Sequence, residues 1–261
     1  MKAVLGTVFI IVMAAVAWFF LGRLEGPAEK TKTPRDSLVE TVRIKTQDGV
    51  EIAGDYYPVK GEKQVAGGAS RGVLLLHMMP ADRKSWAAFA KQLSEAGFPA
   101  LAIDFRGHGE SQGGPEGYKS FTDLKHQQSK LDVLAAALFL RSKKVDEFHL
   151  VGASIGANLA LQYLAEHPNA RSAILLSPGL DYRGVTTEDA IQKIRAGRGL
   201  YLVSSEEDAY SHDTAARLAR YINLDDLHQL KAFTDAGHGT TILEKHPEFM
   251  DEMISWLVSI P

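Results

Sequence analysis

The sequence predicts an α/β fold, a mostly parallel, twisted sheet with helices on both faces. Three observations carry that prediction. Short, continuous apolar runs alternate with amphipathic stretches of helical period, the signature of strands buried on both faces and the crossover helices that cover them. A hairpin signal opens the series, so the sheet starts with an antiparallel pair. The chain has 261 residues, 45% apolar and 23% charged, which suffices for one full α/β core once an N-terminal tail is set aside.

The elements follow in order. Residues 42–46 and 50–57 flank Gln47-Asp48-Gly49 and read as a hairpin, since Asp-Gly is a turn signal. Residues 73–77 (VLLLH) form a buried strand, and residues 61–72, rich in glycine, a loop before it. Residues 84–96 have helical period and stop at Gly97; residues 100–104 form the next strand and residues 121–141 one long helix. A strand at 148–152 leads into a helix at 155–166, ended by His167-Pro168. Strands at 173–177, 200–204 and 229–233 alternate with a short helix at 187–195, a helix around 214–221 and a final helix at 240–260. In such sheets the ligand site lies beyond the carboxyl ends of the strands. The chemistry is therefore expected just after each strand.

The N-terminal segment stands apart. Residues 3–22 (AVLGTVFIIVMAAVAWFFLG) carry no charge, and about 20 helical residues span roughly the 30 Å of bilayer hydrocarbon. Residues 1–23 are expected to be a transmembrane anchor, residues 24–36 a polar linker and residues 37–261 the folded α/β domain. Lys2 and the terminal amine precede the run, while Arg23, Glu25, Glu29 and Lys30 follow in near balance. The positive-inside rule then keeps the N-terminus in the cytoplasm and sends the domain to the periplasmic or extracytoplasmic side. Ala15-Val16-Ala17 also has the form of a signal-peptide cleavage site, so secretion after cleavage is the alternative.

Composition excludes several classes. With no cysteine there are no disulfides, no thiolate metal sites and no Cys nucleophile. The net charge is −3 and no Lys/Arg block occurs, so no nucleic-acid partner is expected. No H-x-x-x-H spacing points to a metal, and no cofactor is implied.

Gly152-Ala153-Ser154-Ile155-Gly156 is a G-x-S-x-G sequence between an apolar strand and a helix pattern. That spacing suits a nucleophile elbow. The serine sits in strained backbone on a tight turn, and the glycines remove side chains that would collide with neighbouring backbone. The helix that follows points its free amides at developing negative charge. A serine hydroxyl also needs a base, and the base an orienting acid. His238, between glycines in Gly237-His238-Gly239 after the last strand, is the candidate base. For the acid, Glu206, Glu207 and Asp208 follow the strand at 200–204, and Asp181 follows the one before.

With these motifs the chain resembles the α/β-hydrolase family over residues 40–260. His77-Met78-Met79-Pro80 looks like the family's oxyanion-hole segment, and Asp104-Phe105-Arg106-Gly107-His108-Gly109-Glu110-Ser111 its D-x-R-G-x-G-x-S loop. The likeness is to small, lid-poor serine esterase-like members, including the dienelactone-hydrolase-like ones, although dienelactone hydrolases use Cys. It implies an α/β-hydrolase fold and a triad of Ser154, Asp208 and His238, with Glu206, Glu207 and Asp181 as alternatives for the acid. It also implies oxyanion donation by the amides of Met79 and Ile155. The family usually has glycine where this chain has Met78, which is tolerable if that side chain points away. Arg106 and His108 are expected to be structural, with Asp104 and Arg106 holding neighbouring turns.

The expected reaction is acyl transfer to water from a small carboxylic ester, with thioesters and short acyl lipids as further substrates. An acyltransferase or lyase on the same scaffold, and a catalytically idle membrane-attached binding module, are the alternatives. Residues 178–199, where relatives insert a lid, have room for one short helix, so an open site is expected.

Overall fold

The computed structural model describes residues 39–59, 71–222 and 227–261, all within the compact unit Ser37–Pro261. The expected anchor at residues 1–23 and linker at 24–36 lie outside the described residues. Among the described residues no helix is long and apolar enough to cross a membrane.

Ten strands and eight α-helices are described. Strand β1 (Glu40–Lys45) turns at Gly49, where φ is +85°, into β2 (Glu51–Tyr57). The Thr46 hydroxyl donates to Asp48 at 2.6 Å and closes the turn. Then come β3 (Arg71–Leu76), α1 (Ala87–Glu95) behind a 3₁₀ turn, β4 (Ala100–Ile103), α2 (Asp123–Gln127), α3 (Lys130–Ser142), β5 (Glu147–Ala153) and α4 (Ile155–Glu166). After β6 (Ala170–Leu176), a small hairpin of β7 (Asp181–Tyr182) and β8 (Val185–Thr186) precedes α5 (Glu188–Ile191). The described chain ends with β9 (Gly199–Ser205), α6 (Ala209–Leu218), β10 (His228–Phe233), α7 (Thr241–Lys245) and α8 (Phe249–Ser259).

The main sheet has the order β1-β2-β4-β3-β5-β6-β9-β10. The β1–β2 and β2–β4 pairs are antiparallel, and every other pair is parallel. Alternate residues of one strand serve opposite faces, as the pleat requires. Leu74 and Leu76 of β3 enter the core under α3 and α4 with Val133, Ala136, Leu159 and Leu164. Val73 and Leu75 enter the other, with Trp86, Phe89, Phe249 and Trp256 from α1, α8 and the turn before α1. Truncating any of the fully buried leucines to alanine costs about 2–5 kcal/mol.

Three helices differ from expectation. The long helix expected at 121–141 is two, because Thr122 caps the first through Lys125 N and i→i+3 bonds at Gln128 and Ser129 tighten the chain between them. The final helix is broken at His246, whose φ of −126° and ψ of 66° leave the helical region that the following Pro247 disfavours. The helix expected at 187–195 closes after Ile191, and its remainder is turns held by Lys193 N→Ala190 O and Ile194 N→Ile191 O. The hairpin before it has no strand signal, since two-residue strands show no alternation.

Candidate active site

The carboxyl ends of β3, β5, β6, β9 and β10 lie in sequence across the middle of the sheet and one edge. Each sequence-predicted residue follows one of them, on the loop that leaves it or at the start of the next element. Ser154 follows β5 in the left-handed region, with φ +54° and ψ −121°. That strain is held by the bond from its amide to Leu176 O, 2.9 Å, and by the start of α4, whose first bonds return to Ser154 O. Both elbow glycines are sterically required. A Cβ on Gly152 would stand 2.2 Å from Gly156 O, and one on Gly156 would stand 2.3 Å from Leu76 O. Ile155, at the first turn of α4, has an amide left over for an incoming anion.

His238 and Asp208 are brought together: Nδ1 of the imidazole donates to Oδ2 of the carboxylate at 2.6 Å. Asp208 is 19% and His238 38% exposed, so the pair is half sheltered and open on the imidazole side. The His238 loop is also seated against the elbow, since a Cβ on Gly239 would lie 3.3 Å from the Ala153 Cβ. The Gly239 amide donates to the Ser177 hydroxyl at 2.9 Å.

The other carboxylates considered for the acid have different partners. Glu207 accepts from the Ser205 hydroxyl at 2.5 Å and from the Gly237 amide, which ties the loop after β9 to the loop carrying His238. Those donors hold its carboxyl down at about 2. Asp181 accepts from the Gly184 amide at 2.6 Å inside the β7–β8 turn. Glu206 is exposed, and its amide extends the sheet to Phe233 O.

The segment after β3 holds its backbone by one imidazole. Phe105 N donates to His77 Nε2 at 3.0 Å, so the ring proton is on Nδ1, which donates to Met78 O at 2.8 Å. Full burial keeps this ring neutral by lowering its pKa to about 4. The Met78–Met79 peptide is trans, so with its carbonyl turned to His77, the Met79 amide points the opposite way. The Met78 side chain lies against Gly239 and Thr240 in the His238 loop. The substituent at the position where the family usually has glycine is thus directed to that loop.

The D-x-R-G-x-G-x-S loop is a buried knot. Asp104 accepts from Arg83 N, Arg83 Nη1 and Glu110 N at 2.7, 2.5 and 2.7 Å. A Cβ on Gly109 would stand 2.2 Å from that carboxylate, which explains the glycine. Ser111 bridges Asp104 O and Ala53 N. Arg106, 1% exposed, holds Asp132 and Asp48, each at 2.7 Å. The His108 ring stacks on Tyr118 and lies 4.9 Å from His77, and burial lowers its pKa to about 3.

Two residues escaped the sequence reading. Tyr182, on the β7–β8 hairpin, meets the His238 ring in a T-shaped arrangement, with ring centroids 6.2 Å apart at 85°. Its hydroxyl meets the Ser211 hydroxyl at 3.0 Å and Ser177 O at 3.4 Å, and burial pushes the phenol up. Asn158, inside α4, holds the hairpin's base through Gly179 and Val185. The available signal for the hairpin was Arg183-Gly184, whose positive φ angles of +57° and +79° fit a type I′ turn. Ser154 is 6% exposed.

Residues 72–224 match the family described as alpha/beta hydrolase fold. Among curated proteins, the chain is 26% identical over 171 residues to an AB hydrolase superfamily protein of Bacillus subtilis (strain 168), 60% of each chain. It is 32% identical over 134 residues to a non-heme chloroperoxidase of Kitasatospora aureofaciens, 51% of this chain and 42% of that one. The matches thus span 60% or less of these relatives' length. Among solved structures, an esterase of Pyrococcus furiosus superposes with a TM-score of 0.67 at 20% identity, covering 87% of this chain and 94% of that one. A soluble variant of monoglyceride lipase from Saccharomyces cerevisiae gives 0.63 at 15%, covering 85% and 96%. At such identities the likeness is one of fold.

Proposed function

This chain belongs to the alpha/beta hydrolase family, and from that premise we propose that it is a serine hydrolase cleaving small carboxylic esters through an acyl-enzyme. The observation that carries the reading is the 2.6 Å bond between His238 Nδ1 and Asp208, on loops beside a strained Ser154 elbow. Ser154 attacks the ester carbonyl as His238 Nε2 takes its proton. The amides of Met79 and Ile155 hold the oxyanion, and His238 hands the proton to the leaving alcohol. Water, activated by the same imidazole, then releases the acid. Asp208 keeps the Nδ1 proton in place and offsets the imidazolium charge that forms during each transfer. Esterase and monoglyceride lipase among the structural neighbours support an ester substrate.

A fluorophosphonate probe should label the protein, and Ser154→Ala should abolish both labelling and hydrolysis of p-nitrophenyl esters. Retained activity in that variant would remove the assignment. The reading includes attachment through residues 1–23, with the domain of residues 37–261 on the outer side of the membrane. A periplasm-dependent reporter fused after Pro261 should be active and a cytoplasm-dependent one silent. The opposite pair of results inverts the topology, and a mature chain starting at Trp18 makes the segment a cleaved signal.

A further inference from the structure

We propose that Glu207 and Ser205 are positioning residues for the base, holding the backbone of the His238 loop in register so that the imidazole serves Asp208 and Ser154 together. The proposal rests on the reading of His238 and Asp208 as base and acid. It starts from the backbone of this loop. Between β10 and α7 the chain enters the left-handed region at Asp235, Gly237 and Gly239, with φ +54°, +80° and +60°. Such a path continues neither a strand nor a helix. The loop's amides go to side chains instead. Ala236 N donates to the Ser205 hydroxyl at 2.9 Å, Gly237 N to the Glu207 carboxylate and Gly239 N to the Ser177 hydroxyl at 2.9 Å. Backbone amides must find partners, and where side chains supply them, those side chains decide where the loop sits.

Two of these three partners belong to one turn. Asp208 N donates to Ser205 O at 3.1 Å and closes Ser205-Glu206-Glu207-Asp208. The turn and the loop then meet in order along both chains. Glu206 N donates to Phe233 O at 2.9 Å, Ser205 accepts from Ala236, Glu207 accepts from Gly237, and Asp208 accepts from the His238 ring at 2.6 Å. The first three bonds place backbone, and the fourth is the triad contact itself. Ser205, fully buried, gives its own proton to Glu207 at 2.5 Å, because its other acceptor, Phe233 O, is at 3.4 Å. That bond holds the carboxylate which holds Gly237. Glu207 thus acts on the base through the Gly237 peptide, while its neighbour Asp208 acts on the ring.

The test compares Glu207→Ala, Glu207→Gln, Ser205→Ala and the Glu207→Ala with Ser205→Ala double variant in the full chain. One such bond is worth roughly 2- to 12-fold. Glu207→Ala should lower kcat on p-nitrophenyl esters by about that factor with KM unchanged, and slow fluorophosphonate labelling of Ser154 in parallel. Glu207→Gln keeps an oxygen for Gly237 and should regain most of the loss. Ser205→Ala should lose kcat as well. The double variant should lose less than the product of the two factors, because the two side chains share a bond. The proton of the short His238 Nδ1–H bond, far downfield in the NMR spectrum, should broaden in Glu207→Ala well below Tm, as the loop opens to water. A loss of global stability alone does not move that signal. Unchanged kcat in Glu207→Ala or in Ser205→Ala, or a rise in KM alone, would overturn the proposal. So would an unaltered downfield signal, a glutamine variant no better than the alanine one, or fully multiplicative losses. Failure of the wild type to label would instead overturn the reading of the triad.

Discussion

Replacing Asp208 with asparagine removes one charge and keeps the shape of the triad. Before proton transfer, the bond between His238 and Asp208 at 2.6 Å mainly fixes orientation. In the proposed reaction the imidazole takes the Ser154 proton, and a full positive charge appears beside the carboxylate. At about 4 Å between charge centres and an effective dielectric near 20, the attraction is about 4 kcal/mol, a factor of about 10³ in rate. His238 is 38% exposed, and solvent screening lowers the expected loss toward about 10². Asparagine also offers an N–H to Nδ1, favouring the tautomer with the proton on Nε2, where it cannot accept from serine. The assay is steady-state hydrolysis of a p-nitrophenyl ester by Asp208→Asn and Glu207→Gln, with thermal unfolding as a control for folding. Asp208→Asn should lose 10²- to 10³-fold in kcat at little change in Tm. Glu207→Gln should lose far less, since its carboxylate braces Gly237 and does not touch the imidazole. A larger loss in Glu207→Gln, or less than threefold in Asp208→Asn, would refute the assignment of the acid.

The remaining predictions concern stability. Gly156→Ala drives a Cβ against Leu76 O and His77 O, at 2.3 and 2.7 Å; overpacking against backbone costs about 1–3 kcal/mol or more, and an unchanged Tm by calorimetry would contradict the close approach. Arg106→Met leaves the buried Asp132 carboxylate unpaired and should destabilise by about 3–5 kcal/mol; Arg106→Met with Asp132→Leu should recover much of that in urea unfolding, and no recovery would mean the pair is not the cause. His77, His108 and His149 are held neutral by burial, with pKa values lowered to about 4, 3 and 3. Their folded values lie below the unfolded one, so this stability is full above pH 6.5 and is lost as pH falls from there toward 4. With up to three more protons on the unfolded chain, the slope reaches about 4 kcal/mol per pH unit; urea unfolding that is flat from pH 7 to 5 would exclude it.

Most strand positions along the chain were legible because a strand buried on both faces must be a continuous apolar run, as Val73-Leu74-Leu75-Leu76 is. The Ser154 elbow was legible for a related reason: close backbone packing forces glycines to fixed positions, and Gly152 and Gly156 mark them. Carboxylate identity was not legible in the same way. Glu206, Glu207 and Asp208 are chemically alike and adjacent, and only the fold decides which meets His238 and which meets Gly237. Tyr182 was invisible because its hairpin has two-residue strands, and its place depends on the tertiary contacts of Gly179 and Asn158. The over-long final helix came from reading period through Pro247, where local backbone sterics override hydrophobic pattern.

Strand β10, which leads into the His238 loop, is the margin of the sheet. Among the described residues it pairs with β9 alone, and its residues are half-buried or exposed where those of β9 are all buried. Opening free energies in one domain range from near zero at such margins to the global value in the centre. The amides of β10 should therefore exchange with solvent deuterium well before those of β5, which carries Ser154. On heating, the loop carrying His238 should loosen before β5 and the Ser154 elbow do, so inactivation should begin below the unfolding transition and reverse on cooling while the central strands hold.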